Sequence, residues 1–195
     1  MPARDPATTA FDAERDRLAL LTHKGIGMPA AGLLLWLAAA VVVRFWPQRS
    51  ALLITFVLTG LVFPMGIALT RLAGGNLFAK SAALTPLGML LAAMQLFYWP
   101  VLILVFRVAP AWTLFAMAVL FGSHFLPYAW YYRSPGYAVL AVATALVLSA
   151  AVVVTRSPLY GLTPIVTASC YAVALVMLRR EVSALRARGS LASSI

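Results

Sequence analysis

A chain of 195 residues that is 63% hydrophobic and only 10% charged, with a mean hydropathy of +0.94, has too little polar surface for a water-soluble fold, whose apolar share is roughly 45–50%. The net charge of +10 is scattered between apolar runs, which points to the lipid bilayer and anionic headgroups as partners and excludes nucleic acid. Cys170 is the single cysteine, so neither a disulfide framework nor a cysteine metal site can form within one chain.

The N-terminal tail, residues 1–22, holds four of the five acids: Asp5, Asp12, Glu14 and Asp16. Residues 1–7 read as disordered. Thr9-x-x-Asp12 reads as a capping box, with Glu14 and Asp16 complementing the helix dipole. Phe11, Leu18 and Leu21 fall near one face, which predicts an amphipathic helix over 10–22 lying on the inner leaflet. From Arg17 to Arg180 there is no aspartate or glutamate, and Glu181 is the fifth acid.

Cutting that span at its Lys and Arg residues gives uncharged runs at 25–43, 51–70, 81–106, 108–132, 134–155 and 157–178. Each is long enough to cross about 30 Å of hydrocarbon once, because a helix rises 1.5 Å per residue. None shows the alternating polarity of barrel strands. The predicted fold is all-α, a six-helix transmembrane bundle with short loops over 23–180, followed by a basic C-terminal tail over 181–195. The first run is a permanent span rather than a signal peptide, since about two dozen polar residues precede it and Arg44-Phe45-Trp46-Pro47 follows it.

Six crossings put both tails, the 71–80 loop and Arg133 on one side, with 11 Lys and Arg, against 4 on the other. The positive-inside rule then places both termini in the cytoplasm of a cell whose inner membrane holds the protein. In the tail, Arg179, Arg180, Arg186 and Arg188 continue the last helix to a stop at Gly189, with residues 190–195 frayed.

Within the spans, Pro64 with Gly60 and Gly66 predicts a bend in the second. In the third, Gln95, Tyr98 and Trp99 stand at i, i+3 and i+4, and Pro100 frees the carbonyl of Leu96. In the fourth, His124 lies ~13 Å along the helix from Arg133. Tyr128 is one turn further on, and Pro127 frees the carbonyl of Ser123 and kinks the helix. An ionisable residue inside a span is by default a functional candidate. Gln95 and His124 are offset by roughly 8 Å along the axis, so Gln95, Tyr98, Trp99, Ser123, His124 and Tyr128 could line one ligand pocket between the third and fourth spans. The competing reading is interhelical hydrogen bonding as structural glue, with the aromatics as filler. Trp130, Tyr131, Tyr132 and Tyr137 around Arg133 read as an interfacial aromatic belt. Ala141, Ala145 and Ser149 form a small-residue ladder for helix packing, within the chain or against a homo-oligomer or membrane partner.

Absences narrow the function. Intramembrane aspartyl and metalloproteases need acids or histidine clusters, and a retinal protein needs a mid-span lysine with an acidic counter-ion. Neither is present, and His23 with His124 is poor material for acyl or glycosyl transfer. The expectation is a protein that is not an enzyme, with no cofactor and no metal. It would be an uncoupled small-solute permeation or ligand-binding protein, or else a structural accessory subunit.

Three segments carry a resemblance: Lys24-Gly25-Ile26-Gly27, the 94–100 stretch MQLFYWP, and above all the 122–132 stretch GSHFLPYAWYY. The chain resembles a family of small bacterial membrane proteins known only as domain of unknown function 7010, over most of 18–180. The resemblance implies a membrane fold and a bacterial inner membrane, and it implies no activity.

Overall fold

The computed structural model describes residues 6–192, with side chains for 8–187. Every regular element among them is helical: α1 Pro6–Thr22, α2 Gly27–Phe45, α3 Gln48–Leu72, α4 Thr85–Met94, α5 Tyr98–Val108, α6 Thr113–Ser123, α7 Leu126–Tyr131, α8 Pro135–Thr155 and α9 Thr163–Ala192. Five helical segments, 8–45, 48–72, 85–108, 110–131 and 135–155, are long and apolar enough to cross a membrane. Helices suit these runs because lipid offers no partner to an open backbone N–H or C=O. On α3 the residues Leu53, Val57 and Leu61, one turn apart, are all at least half exposed. A stripe of that kind belongs against hydrocarbon rather than water.

The sixth predicted run differs from expectation. Helix α9 starts at Thr163 rather than 157, because Arg156 and Leu159 take left-handed backbone angles (φ 50° each) on either side of Pro158. It then runs past Arg179 and Arg180 and on through Gly189 to Ala192, so Gly189 is not a stop. One glycine in a helix interior costs only about 1 kcal/mol. The readings for residues 1–5 and 193–195 lie outside the described residues.

The kink expected at Pro127 coincides with a helix break, and a second break precedes Pro100, which was expected only to free the Leu96 carbonyl. A 3₁₀ turn at Gln95–Phe97 separates α4 from α5, just before Pro100. Residues 124–125 separate α6 from α7, just before Pro127, and the His124 N–H still reaches the Leu120 carbonyl at 3.1 Å. Pro64, by contrast, sits inside an unbroken α3.

Helix α2 is the hub of the bundle and packs along α3 and α9, while α8 packs on α6, α7 and α9. The α2–α3 crossing is close enough that a side chain at Gly27 would fall onto the Gly66 carbonyl. The main core gathers Trp36, Leu102, Leu114, Met117, Leu140 and Leu148, all fully buried. Helix α4 stands apart from this packing and is tied in chiefly by the buried Leu84 and Leu91.

Helix α1 begins at Pro6, so Thr9 lies inside the helix and is not its N-cap; proline at a helix start fixes φ and lacks the N–H that would go unused there. The buried Leu18 and Ala19 pack on the chain itself, with Leu84, Tyr131 and Tyr132. The acids of α1 serve as ion-pair partners. Asp12 meets Arg15 at 3.4 Å and Arg133 at 3.5 Å. Glu14 binds Arg17 at 2.7 Å. Arg17, and after it Ser81, holds the Glu14 carboxyl down to about 2.

One end of the bundle therefore collects the first helix, the 73–81 loop, Arg133 and the charged half of α9. Arg17 donates to the Lys80 carbonyl at 3.0 Å and the Asn76 N–H to the Leu21 carbonyl at 2.7 Å. At the centre of this end Lys24 meets Glu181 at 2.8 Å. The opposite end joins the 46–48 turn to the 156–162 turn, where the Tyr160 hydroxyl donates to the Gln48 carbonyl at 3.3 Å.

Candidate functional site

A cavity of about 450 Å³ lies between α3 and α4, walled behind by α2 and the α6–α7 break. Its sides are mostly apolar: Met28 and Leu35 from α2, Val62 and Phe63 from α3, Met89 and Ala92 from α4. The 77–80 loop closes one end, with Lys80 as the only charged lining residue among the described residues. The lining reaches Trp36, Gln95 and Phe121 at the other end, and no residue of the 44–49, 107–112 or 156–162 turns contributes to it. The space is thus a chamber between α3 and α4 that runs from the 77–80 loop at the charged end of the bundle to Gln95 and Phe121 near mid-span.

Polar groups reach it at a few points. His124 sits where α6 stops, and the interruption turns its imidazole inward, 8% exposed. The rings of Tyr128, at 5.5 Å, and Tyr98, at 6.0 Å, approach it edge-on. Gln95 enters from the 3₁₀ turn on the opposite wall. Among the described residues no protein group hydrogen-bonds the side chains of Gln95, His124 or Tyr128, and all three line the cavity. Among the described residues no aspartate or glutamate lines it, and no three metal-binding side chains come together. What the chamber can do is enclose a neutral, largely apolar molecule, stack it on aromatic rings, and offer it a few hydrogen bonds.

The six residues expected to form one pocket divide evenly. Gln95, His124 and Tyr128 line it. Tyr98 supports the His124 ring from behind. Trp99 points instead at Phe56 of α3, with ring centroids 5.5 Å apart, and the Ser123 hydroxyl turns back onto the Leu120 carbonyl at 3.1 Å. In the small-residue ladder Ala141 is 2% exposed, while Ala145 and Ser149 are half-buried.

The aromatic belt is a correction. Only Trp130 is exposed (54%), packed beneath the Arg15 guanidinium 4.5 Å from its ring. Tyr131, Tyr132 and Tyr137 are buried and face the cavity. They stack inward because hydroxyls and rings find protein partners there. Tyr137 donates to the Lys24 carbonyl at 2.6 Å and Tyr131 to the Leu84 carbonyl at 3.1 Å. Phe125, Tyr137, Tyr132 and Tyr128 form a ladder of near-parallel rings. Gly88 makes room for this wall, since a side chain there would meet the Tyr131 hydroxyl at 2.9 Å. The signal in the sequence was the spacing of Phe125, Tyr128 and Tyr132 on one helical face.

Beneath the ladder lies a feature that the sequence reading missed. The Lys24 ammonium and Glu181 carboxylate are 8% and 15% exposed. Glu181 also accepts from the Gly136 N–H at 2.8 Å, and Lys24 donates to the Arg133 carbonyl at 3.4 Å. His23 and Lys24 both have left-handed backbone angles (φ 49° and 53°), a costly conformation outside glycine. The pair fastens the α1–α2 turn to the start of α8 and to α9.

The chain matches the sequence family described as a family of unknown function (DUF7010) across residues 11–181. No curated protein and no solved structure matches it.

Proposed function

We propose, for a chain that belongs to this family of unknown function, the binding of a small, neutral, predominantly apolar or aromatic ligand within the membrane. The observation that carries the reading is the chamber between α3 and α4, where Gln95, His124 and Tyr128 present polar atoms with no protein partner among the described residues. Its 450 Å³ falls in the 300–1,000 Å³ range of small-molecule sites, and the mix of apolar wall and few polar groups is what such sites use. A lining without carboxylates among the described residues argues against cation or proton coupling and against acid–base catalysis, so the reading is a binding or uncoupled permeation protein rather than an enzyme. A chamber to which the turns at the opposite end of the bundle contribute no lining residue supports binding over an open pore.

The same reading counts the apolar half of α9, residues 163–178, as a sixth crossing. Both termini, the 71–80 loop and Arg133 then share the basic side, and by the positive-inside rule that side is the cytoplasm of a bacterial inner membrane. The chamber would lie in the cytoplasmic half of the membrane.

The test is thermal unfolding of the purified chain in detergent, with indole and phenol as probes. His124→Leu and Gln95→Leu should each leave the empty protein as stable as before, because neither side chain holds a protein hydrogen bond, and each should abolish the probe-induced rise in melting temperature. If both single variants lose about 0.6–2 kcal/mol, the size of an interhelical hydrogen bond in a membrane, and the double variant recovers it, the two residues are glue and the ligand reading fails.

A further inference from the structure

A second concavity, separate from the chamber, lies on the outer surface where the start of α2, the end of α3 and α9 converge, with a volume of about 470 Å³. Its floor is apolar, from Ile26, Leu69 and Leu175, and its rim is cationic, from Arg179 and Arg186, with the His23 ring beside them. We infer that this groove holds one anionic phospholipid of the surrounding leaflet, its phosphate between Arg179 and Arg186 and its acyl chain along the floor.

Three observations support this occupant. The first is unbalanced charge. The described carboxylates are used elsewhere: Asp12 and Asp16 on Arg133, Glu14 on Arg17, Glu181 on Lys24. Arg179 and Arg186 therefore have no acid within the protein among the described residues. The second is geometry. Seven residues apart, the two arginines are two turns apart on one face of α9, about 10 Å along its axis. Arg186 is drawn across the groove, with Nη2 at 2.6 Å from His23 Nε2 and 3.4 Å from the Ala73 carbonyl. That anchors the guanidinium while leaving N–H groups for a phosphate, whose geometry a planar fork suits. The third is depth. Arg179 stands where the apolar half of α9 gives way to arginines, which is the level of lipid headgroups, and the floor continues into the hydrocarbon side. A cationic rim above an apolar trough follows the order of groups in a glycerophospholipid.

The experiment uses the full chain, delipidated in detergent, read by native mass spectrometry and by melting temperature. The probes are phosphatidylglycerol, phosphatidylcholine with the same acyl chains, and inorganic phosphate alone. Phosphatidylglycerol should bind with one lipid retained per chain and raise the melting temperature, and the other two should do so far less. Arg179→Gln, which removes a guanidinium with no protein partner among the described residues, should weaken phosphatidylglycerol about tenfold, the cost of one charge-assisted hydrogen bond. The double variant Arg179→Gln/Arg186→Gln should abolish the preference. Arg180→Gln, exposed and outside the groove, should leave it intact. Equal binding of phosphatidylcholine, a full effect from phosphate alone, or an equal loss in Arg180→Gln would each overturn the assignment; should Arg186→Gln fail to fold, Arg179→Gln decides by itself.

Discussion

Neutralising Glu181 is the sharpest perturbation of the fold. Glu181→Gln keeps an oxygen for the Gly136 N–H, 2.8 Å away, and removes only the charge that balances Lys24. Removing one partner of a buried ion pair leaves an uncompensated charge and typically costs 3–5 kcal/mol. The lower end applies here, because the side chains retain 8% and 15% exposure and the ammonium keeps the Arg133 carbonyl at 3.4 Å. About 3 kcal/mol, in a protein of this length, corresponds to a fall in melting temperature of about 6–12 °C. Lys24→Met should cost a similar amount by stranding the carboxylate. The double variant Lys24→Met/Glu181→Gln should recover most of the loss, since a neutral pair of similar volume is often no less stable than the ions it replaces. The assay is a thermal double-mutant cycle in detergent. Single losses below about 1 kcal/mol, or losses that simply add in the double variant, would refute the reasoning and make the contact an ordinary screened bridge.

Burial, and then the Arg186 guanidinium, push His23 below its usual value of 6.5, so the unfolded chain takes up that proton first. The associated stability is complete above pH 6.5 and is lost as pH falls below it; melting temperature should drop more between pH 7.5 and 5.5 in the native chain than in His23→Gln, and equal drops would count against this environment. Reporter fusions after Arg188 and within the 74–76 loop should both read cytoplasmic and one after Arg49 periplasmic, and an external C-terminus would mean an odd number of crossings.

Helices were legible because uncharged run length is itself the physical requirement for crossing hydrocarbon. Their ends were less so. Arg156 and Leu159 adopt left-handed angles around Pro158, and nothing in their side chains announces it. Gln95, His124 and Tyr128 could be found because polar groups next to a proline in an apolar run are conspicuous. Trp99 was misplaced because a spacing of four residues fixes a helix face and does not say which neighbour that face meets, here Phe56. The tyrosines near Arg133 follow the composition of an interfacial belt, and only tertiary bonds to Lys24 and Leu84 turn them inward. Lys24 and Glu181 stand 157 positions apart, and a pairing at that distance has no periodicity to betray it.

The turn at residues 23–25 explains why an expensive buried ion pair stands where apolar residues could pack. His23 faces the outer groove, whereas Gly25 lies 3.4 and 3.5 Å, by its missing side chain, from the hydroxyls of Tyr132 and Tyr137 in the chamber wall. Between them the backbone leaves the helical path of α1 before α2 begins, and two non-glycine residues, His23 and Lys24, do so in the left-handed region. Such strain costs on the order of 1–3 kcal/mol per residue and persists only where the surroundings over-determine it. Here they do so twice over: Tyr137 grips the Lys24 carbonyl at 2.6 Å and Glu181 grips its ammonium at 2.8 Å. An apolar side chain at 24 could fill the space, but it would not hold the turn to both α8 and α9. The pair therefore fixes the shared wall of the groove and the chamber.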